Sequence, residues 1–317
     1  MGDDPFSDIL RLTKAESLVT GGFTAGGSWA IRFPVPKKIK FFAVVKGGCW
    51  VCIDGEEPLR AETGDVGLLV AQRRFVIASD PSIPPVDAMA LFSANSSGFP
   101  KVGEKEDFSY IGGHIRLDPV SGPLLEDVLP PWIHIRASSP QAIRLRWLLD
   151  ELVHEGVVGL PGASLASAQL AQLLFIQILR AHLKTSAHLS PGWLRALSDA
   201  DIAPALHLLH SDPGRSWHLE ELAKATAMSR TAFAVRFKSV AGMPPLTYLL
   251  NWRMRLAERS LREGKTSIAA LAQSLGYTSE SAFSNAFKRL KGTAPRRYRE
   301  VSRAGLASTT REPLDIT

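Results

Sequence analysis

Cysteine is scarce in this sequence, and so are histidines that could group as metal ligands. Only two cysteines occur among 317 residues, which excludes a disulfide-stapled secreted scaffold and a four-cysteine zinc site. Within the first 135 residues the only histidines are His114 and His134. The most apolar stretch, Leu165–Leu183, is interrupted by three glutamines and an arginine, as in a buried helix rather than a membrane span. The N-terminal residues lack the basic and apolar parts of a secretory signal, so we expect a soluble, cytoplasmic protein.

Basic residues are concentrated in the C-terminal third of the chain. Residues 201–303 contain 17 Lys and Arg against 8 Asp and Glu, whereas residues 1–200 contain 19 against 21. This asymmetry is typical of a nucleic-acid-binding module attached to a near-neutral domain. A solvated basic surface has the same composition, so charge alone leaves both interpretations open.

The basic third contains an internal repeat, which favours the first interpretation. Identical residues recur fifty positions apart, which indicates a duplicated structural unit. The matched pairs are Ala232 and Ala282, Phe233 and Phe283, Phe237 and Phe287, Lys238 and Lys288, Gly242 and Gly292, Pro245 and Pro295, and Tyr248 and Tyr298.

Each copy of the repeat reads as two short helices joined by a tight turn. Ser229 and Ser279 are suitable N-caps for the second helix of each copy. Gly242 and Gly292 are placed to end those helices, and the following prolines forbid their continuation. A basic second helix after a tight turn is typical of the helix-turn-helix arrangement, in which that helix enters the major groove of DNA.

These residues resemble the two helix-turn-helix units of AraC/XylS-type transcription regulators. The resemblance covers about residues 201–299 and is most specific in the second copy, at Gly276-Tyr277, Ser281-Ala282-Phe283, Phe287-Lys288 and Tyr298-Arg299. It implies a DNA-binding domain over residues 199–303, with helix-turn-helix motifs at about 219–242 and 267–292. Residues 304–317 are expected to form a tail.

The resemblance also implies which side chains face DNA. The phenylalanines must face the core, so the opposite face of each second helix is available for base edges. The residues expected to face bases are Arg230, Thr231, Ala234, Val235, Glu280, Ser281, Ser284 and Asn285. The residues expected to contact phosphates are Arg236, Lys238, Lys288, Arg289 and Lys291. For each of these basic residues, a merely solvated charge is the alternative.

The N-terminal part of the chain reads as short strands separated by glycine turns, which suggests a small barrel. Gly47-Gly48 and Asp54-Gly55 are the clearest turn signals. Residues 23–85 and 112–135 resemble the cupin-like sensor domain of some AraC-type regulators, which implies a ligand-sensing domain over residues 1–135. The aromatic residues that could line an effector pocket are Trp29, Phe33, Phe42, Trp50 and Phe75, although each could simply fill the core.

Neither a metal centre nor redox chemistry is expected in this barrel. The two histidines form no His-x-His ligand pattern, so no cofactor is predicted. Cys49 and Cys52 have C-x-x-C spacing, but residues three apart on a strand point to opposite faces, so we interpret them as packed thiols.

Two amphipathic helical segments over residues 136–190 predict a connector that either mediates dimerisation or covers the barrel within one chain. The expected fold class is therefore a multidomain α+β protein with a cupin-like barrel, a helical connector and an all-α domain with two helix-turn-helix units.

The sequence thus predicts a non-enzymatic transcription regulator that binds promoter double-stranded DNA, with an unknown small-molecule effector. By the resemblance, a homodimer, a contact with RNA polymerase and activation of transcription are further expectations. The alternatives are a cupin-type enzyme or a DNA-repair alkyl acceptor with an attached DNA-binding domain, and a nucleoid binder without sequence preference.

Overall fold

The computed structural model describes residues 4–93, 100–158, 160–186, 189–264 and 266–309. They form two compact units. Thr13–Ser190 make up the first, called the barrel unit below. The second, the helical unit, combines the residues up to Leu12 with those from Pro191 onward. The connector helices thus fold with the barrel, and the N-terminal segment belongs to the helical unit rather than to the barrel.

The barrel unit is built on two sheets. The strands are β1 (Glu16–Ala25), β2 (Ala30–Phe33), β3 (Ile39–Lys46), β4 (Gly48–Ile53), β5 (Leu59–Glu62), β6 (Val66–Leu69), β7 (Phe75–Ala78), β8 (Val86–Asp87), β9 (Lys101–Val102), β10 (Phe108–Arg116) and β11 (Trp132–Ile135). The larger sheet has the strand order β11-β6-β3-β10-β1-β9, and the smaller has the order β5-β4-β7-β2-β8. Two short helices are α2 (Ala88–Ser93) and α3 (Pro123–Glu126).

Glycine turns place the strands as the sequence indicates. Gly47, between β3 and β4, has a φ of +76°, and a Cβ there would lie 2.3 Å from the carbonyl oxygen of Asp107. Only glycine fits that turn. Asp54-Gly55 follows β4, which pairs antiparallel with β5, as expected for a hairpin.

Alternating side chains from both sheets fill the space between them. In β4 the inward residues are Cys49, Val51 and Ile53, all buried in one apolar cluster with Phe23, Phe42 and Ile77. Aromatic rings in this cluster pack on one another: Phe33 stacks on Phe75 with centroids 4.7 Å apart, and Phe42 stacks on Trp132 at 4.8 Å. The interior is therefore closely packed.

Two helices, α4 (Ala142–Val158) and α5 (Ala163–Thr185), complete the barrel unit. They pack on each other, and α5 also packs on β1, β6 and β11. The buried stripe of α5, which includes Leu174, Phe175 and Ile178, explains why this apolar segment is a core helix. No helix among the described residues is both long and apolar enough to cross a membrane.

The described helical unit consists of α1 (Pro5–Leu12), α6 (Trp193–Ser198), α7 (Ala203–Ser211), α8 (Leu219–Ala225), α9 (Arg230–Ala241), α10 (Pro245–Glu263), α11 (Ile268–Ser274), α12 (Glu280–Lys291) and α13 (Pro295–Thr309). Helices α8 and α9 form the first motif, and α11 and α12 the second. The expected tail from residue 304 is partly wrong, because α13 continues to Thr309; residues 310–317 lie outside the described residues.

Helix α1 packs against α6 and α7. The ring of Phe6 lies 6.3 Å from that of Trp193, and Asp8 Oδ2 lies 3.3 Å from His210 Nδ1. On its other side, His210 Nε2 lies 2.8 Å from the Tyr248 hydroxyl of α10. The N-terminal helix is thereby part of the core that supports the first motif.

Candidate DNA-binding surface

The second helices of the two motifs, α9 and α12, have matching ends. Ser229 Oγ accepts a hydrogen bond from the amide of Ala232 at 3.2 Å, and Ser279 Oγ accepts one from Ala282 at 3.1 Å. Gly242 and Gly292 end the helices with φ values of +78° and +74°. Each helix is 12 residues long. The predicted caps and stops are confirmed, so both copies of the repeat build the same scaffold.

Paired phenylalanines anchor each helix in its own core. Phe233 and Phe237 lie 5.7 Å apart between ring centroids, and Phe237 packs edge-on against Tyr248. In the second motif Phe283 and Phe287 lie 5.8 Å apart, and Phe287 packs edge-on against Tyr298. All four phenylalanines are fully buried. Their burial fixes which face of each helix is turned outward.

The residues predicted to face bases are on those outward faces. Arg230, Thr231, Val235, Glu280, Ser281 and Asn285 are exposed, and Ala234 and Ser284 are half-buried. Val235 exposes 66% of its surface, which no packing requirement of the helical unit explains. Arg230 Nη1 lies 2.8 Å from Glu220 Oε1, with both side chains largely exposed. A surface ion pair of this kind is weak and can exchange for a contact with DNA.

Four of the five residues predicted to contact phosphates are exposed. Lys238, Lys288 and Arg289 are exposed near the C-terminal ends of α9 and α12. Arg236 is exposed too, but Nη2 lies 2.7 Å from Asp199 Oδ2.

Lys291 differs from the expectation. Its Nζ lies 2.8 Å from Oε2 of the buried Glu258, and only 21% of its side chain is exposed. We correct its expected role to that of a structural counter-ion for Glu258, because burial of that carboxylate demands a partner.

The expected effector pocket is only partly present. Trp29, Phe42 and Phe75 are buried and Phe33 packs against the same cluster. Trp50 is a correction: in β4 its neighbours Cys49 and Val51 face the core, so Trp50 points to the other side of the sheet, where the Arg60 guanidinium lies 5.8 Å from its ring centroid.

A cavity of about 10 Å³ remains inside the barrel, room for about one water molecule. Its lining includes Phe42, Phe75, Tyr110, Trp132 and Lys40. The indole N–H of Trp132 is buried, with no hydrogen-bond acceptor among the described residues. Burial, assisted by the nearby Lys38, lowers the pKa of the Lys40 ammonium.

The two histidines of the barrel have different surroundings. His134 Nε2 lies 2.8 Å from Asp65 Oδ2, and Asp65 Oδ1 accepts a hydrogen bond from the Ala137 amide. Burial raises the pKa of Asp65, but these hydrogen bonds outweigh it and hold the pKa below its usual value. His114 lies on β10, where burial and neighbouring cations lower its pKa to about 4. No group of three metal-ligating side chains occurs within the described ranges.

The C-x-x-C pair is split between the two faces of β4, as predicted. Cys49 is buried and Cys52 is half-buried. Burial raises the pKa of the Cys49 thiol to about 12, so this cysteine is protonated at neutral pH.

Comparison with known proteins agrees with this architecture. A cupin family model matches residues 4–184, and a helix-turn-helix domain model matches residues 222–300. The chain is 41% identical over 298 residues to an AraC-like transcription regulator of Streptomyces lividans, covering 94% of this chain and 98% of the relative. It is 40% identical to another from Streptomyces antibioticus, with the same two coverages. The chain belongs to the AraC family of transcription regulators.

Among solved structures, this AraC family regulator is similar to the DNA-binding domain of AdpA in complex with a target DNA. The identity is 31%, the match covers 32% of this chain and 94% of that chain, and the TM-score is 0.30. As the family membership shows, the chain is a sequence-specific DNA-binding transcription regulator in which two helix-turn-helix motifs follow a cupin domain.

Sequence reasoning missed two parts of the helical unit. The contact of Asp8 with His210 joins residues that are 202 positions apart, and no local sequence pattern predicts it. The sequence around Arg253 on α10 indicates no such role either, yet its guanidinium donates to the carbonyl oxygens of Pro213 and Arg215. In both cases the partner is a distant side chain or a backbone carbonyl.

Proposed function

We propose that this regulator reads its operator with α9 and α12 in two successive major-groove segments, about 34 Å apart between centres. The observation that supports this is the matched pair of capped helices whose outward faces carry the base-reading candidates. Arg230 suits guanine, Asn285 suits adenine, and Glu280 suits the amino group of cytosine. The different chemistry of the two faces predicts a site whose two parts differ in sequence.

Selection from random duplexes tests this proposal. We expect enrichment of a two-part motif, and Arg230→Ala should relax base preference in one part while Asn285→Ala relaxes it in the other. Each should lose about 1–3 kcal/mol of discrimination. Lys238→Ala is the control: it should weaken binding to all sequences alike and lower the salt dependence of binding. Enrichment of no motif would contradict the proposal.

The barrel is the proposed effector site, and the cavity chemistry suggests an organic anion with an apolar body. Lys40 and the unpartnered indole N–H of Trp132 can meet a carboxylate, and Phe42, Phe75 and Tyr110 can enclose an apolar chain. Because the cavity is small, an effector must displace side chains on entry.

A thermal-shift screen with carboxylates and their neutral amides measures this preference. Carboxylates should raise the melting temperature of the wild type, and Lys40→Gln should abolish that shift. Lys37→Gln, an exposed neighbour, should keep it. Equal shifts from amides and carboxylates would argue against an anion site.

The helix pair α4 and α5 is the proposed homodimer surface. Ile143 and Trp147 on α4 expose 77% and 58% of their surfaces, and Leu165 and Leu173 on α5 expose 68% and 42%. Apolar side chains exposed in this way are typical of an interface with a second copy. Trp147→Asp should convert a dimer into a monomer in light scattering, whereas Arg180→Asp, on a polar part of α5, should leave it dimeric.

The proposal includes promoter activation through RNA polymerase in the cytoplasm, without enzymatic activity. The naming of the relatives as transcription regulators supports a non-enzymatic role. Transcription in vitro with purified polymerase tests it: promoter output should rise on addition of the regulator and its effector, and a fall would indicate repression instead.

A further inference from the structure

The loop between α7 and α8 connects the two motifs directly. At Gly214, a Cβ would lie 2.5 Å from the carbonyl oxygen of Ser274 at the end of α11. At Gly276, in the turn of the second motif, a Cβ would lie 2.0 Å from the carbonyl oxygen of Gly214. The two backbones therefore touch without any side chain between them, which only glycine permits.

Arg253 fastens this contact from α10. Its Nε donates to the carbonyl oxygen of Pro213 at 2.6 Å, and its Nη2 donates to that of Arg215 at 2.9 Å. The guanidinium also lies 6.0 Å from the ring centroid of Tyr277, the residue after Gly276. One planar guanidinium group thus holds the α7–α8 loop beside the turn of the second motif.

The α7–α8 loop also contacts the first motif. The Trp217 indole donates to the carbonyl oxygen of Asp212 at 2.9 Å, and the residue is buried. The Arg215 guanidinium lies 4.1 Å from the Trp217 ring centroid and pairs with Glu221 on α8. Movement of the loop would therefore require movement of α8.

Helix α10 provides the other connection between the motifs. Tyr248, near its start, packs on Phe237 of the first motif, whereas Met254, Ala257 and Leu261 belong to the core of the second. A single shared helix resists rotation of the motifs about its axis only through the side chains packed on it. A second, off-axis point of contact adds to that resistance.

We propose that Arg253 and the Gly214–Gly276 contact set the separation and rotation of the two recognition helices, and thereby determine which spacing between half-sites the regulator accepts. The inference rests on the proposed binding of α9 and α12 in two major-groove segments, and Arg253 is in it a positioning residue that acts through the loop. One added base pair displaces the second half-site by about 3.4 Å and rotates it by about 35°. If the separation and rotation of α9 and α12 are fixed, both helices cannot contact their half-sites after such a change.

Spacer variation measures the effect. The full-length protein is titrated at constant salt against its selected duplex and against duplexes with one base pair added or removed between the half-sites. We expect each change to weaken the wild type at least about tenfold. For Arg253→Ala this penalty should shrink to about threefold or less. The affinity of this variant for the duplex with unchanged spacing should fall less than its affinity ratio between spacings changes. Arg253→Lys, which keeps the charge but lacks the fork, should resemble the alanine variant.

Arg259→Ala is the matched control, because it removes one positive charge from the same helix at a half-buried residue that pairs with Glu263. It should keep the full spacing penalty. Two results would overturn the proposal: an equal loss for Arg253→Ala on every spacer, as a phosphate contact would give, or relaxed spacing in Arg259→Ala.

Glycine substitutions test the backbone contact independently of charge. Gly276→Ala should broaden the accepted spacing, whereas Gly292→Ala has a similar φ of +74° with open space around it and should not. Equal effects of the two glycine substitutions would assign the change to backbone strain and contradict a role for the Gly214–Gly276 contact.

A distance measurement keeps the inference testable without DNA. Spin labels at Ser239→Cys and Leu290→Cys, both exposed, can be placed in a Cys52→Ser chain, since Cys49 is buried and unreactive. The distance distribution should be narrow in this chain and broader with Arg253→Ala. An unchanged distribution would overturn the proposal even if DNA binding fails for other reasons.

Discussion

The two helix-turn-helix motifs share one backbone plan but differ in how they are supported. In the first, His210 stacks on Trp252 and joins α7 to α1 and α10 through its contacts with the Asp8 carboxylate and the Tyr248 hydroxyl. In the second, the buried Glu258 is neutralised by Lys291. The comparison teaches that duplication preserved the caps and the phenylalanine pairs, while each copy acquired its own buried polar group.

The largest test of this comparison removes the shared anchors. Phe237→Ala and Phe287→Ala each delete a fully buried ring, so each should cost about 3–5 kcal/mol of unfolding free energy. Urea unfolding of the full chain measures this. Because the rings occupy equivalent positions, the two costs should agree within about 2 kcal/mol, which is the width of that range. A large difference would show that the two cores are not equivalent.

The second test concerns the buried ion pair. Lys291→Ala leaves Glu258 without its closest cation and should destabilise the second motif by about 2 kcal/mol, since the lysine is partly exposed. Lys288→Ala, at an exposed position on the same helix, should leave stability unchanged and reduce the salt dependence of DNA binding. If Lys291→Ala instead acted mainly through salt dependence, our correction of its role would fail.

The third test compares how the stability of the two motifs changes as the pH is lowered. Burial lowers the pKa of His210, although Asp8 partly opposes this shift. Its folded pKa lies below the unfolded value of about 6.5, so its contribution to stability is complete above that pH and declines as the pH falls toward the folded pKa. Hydrogen exchange between pH 7 and 5 should show earlier loss of protection in α7 and α10 near His210 than in α12. In His210→Gln this difference should disappear.

The smallest expected effect lies in the turns. Ala227 in the first motif has a φ of +53°, where the second motif has Gly276 at +78°. Ala227→Gly relieves the left-handed conformation but frees the unfolded chain, so the net gain should be about 0.5 kcal/mol. Thermal unfolding can detect it, and a clear loss of stability would indicate that the Ala227 methyl packs usefully.

The local features of the fold were predictable from the sequence because their causes are local. Serine caps, stop glycines and phenylalanines one helical turn apart define the two motifs, and Asp54-Gly55 defines a hairpin. The roles of Lys291 and Trp50 were not, since each depends on which neighbour a side chain meets after folding. Trp50 follows from the register of β4, and Lys291 from Glu258, 33 positions earlier in the chain.

The placement of α1 has a consequence for how the chain can be divided. Since the segment before Leu12 and the segment from Pro191 fold together, the barrel is an insertion in the helical unit, tethered to it by two covalent crossings. A fragment starting at Pro191 loses the cover that Phe6 gives Trp193 and the carboxylate that Asp8 gives His210. Any signal from the barrel thus has two routes along the backbone, and the shorter, residues 13–15, leads into α1, which packs on α6 and α7.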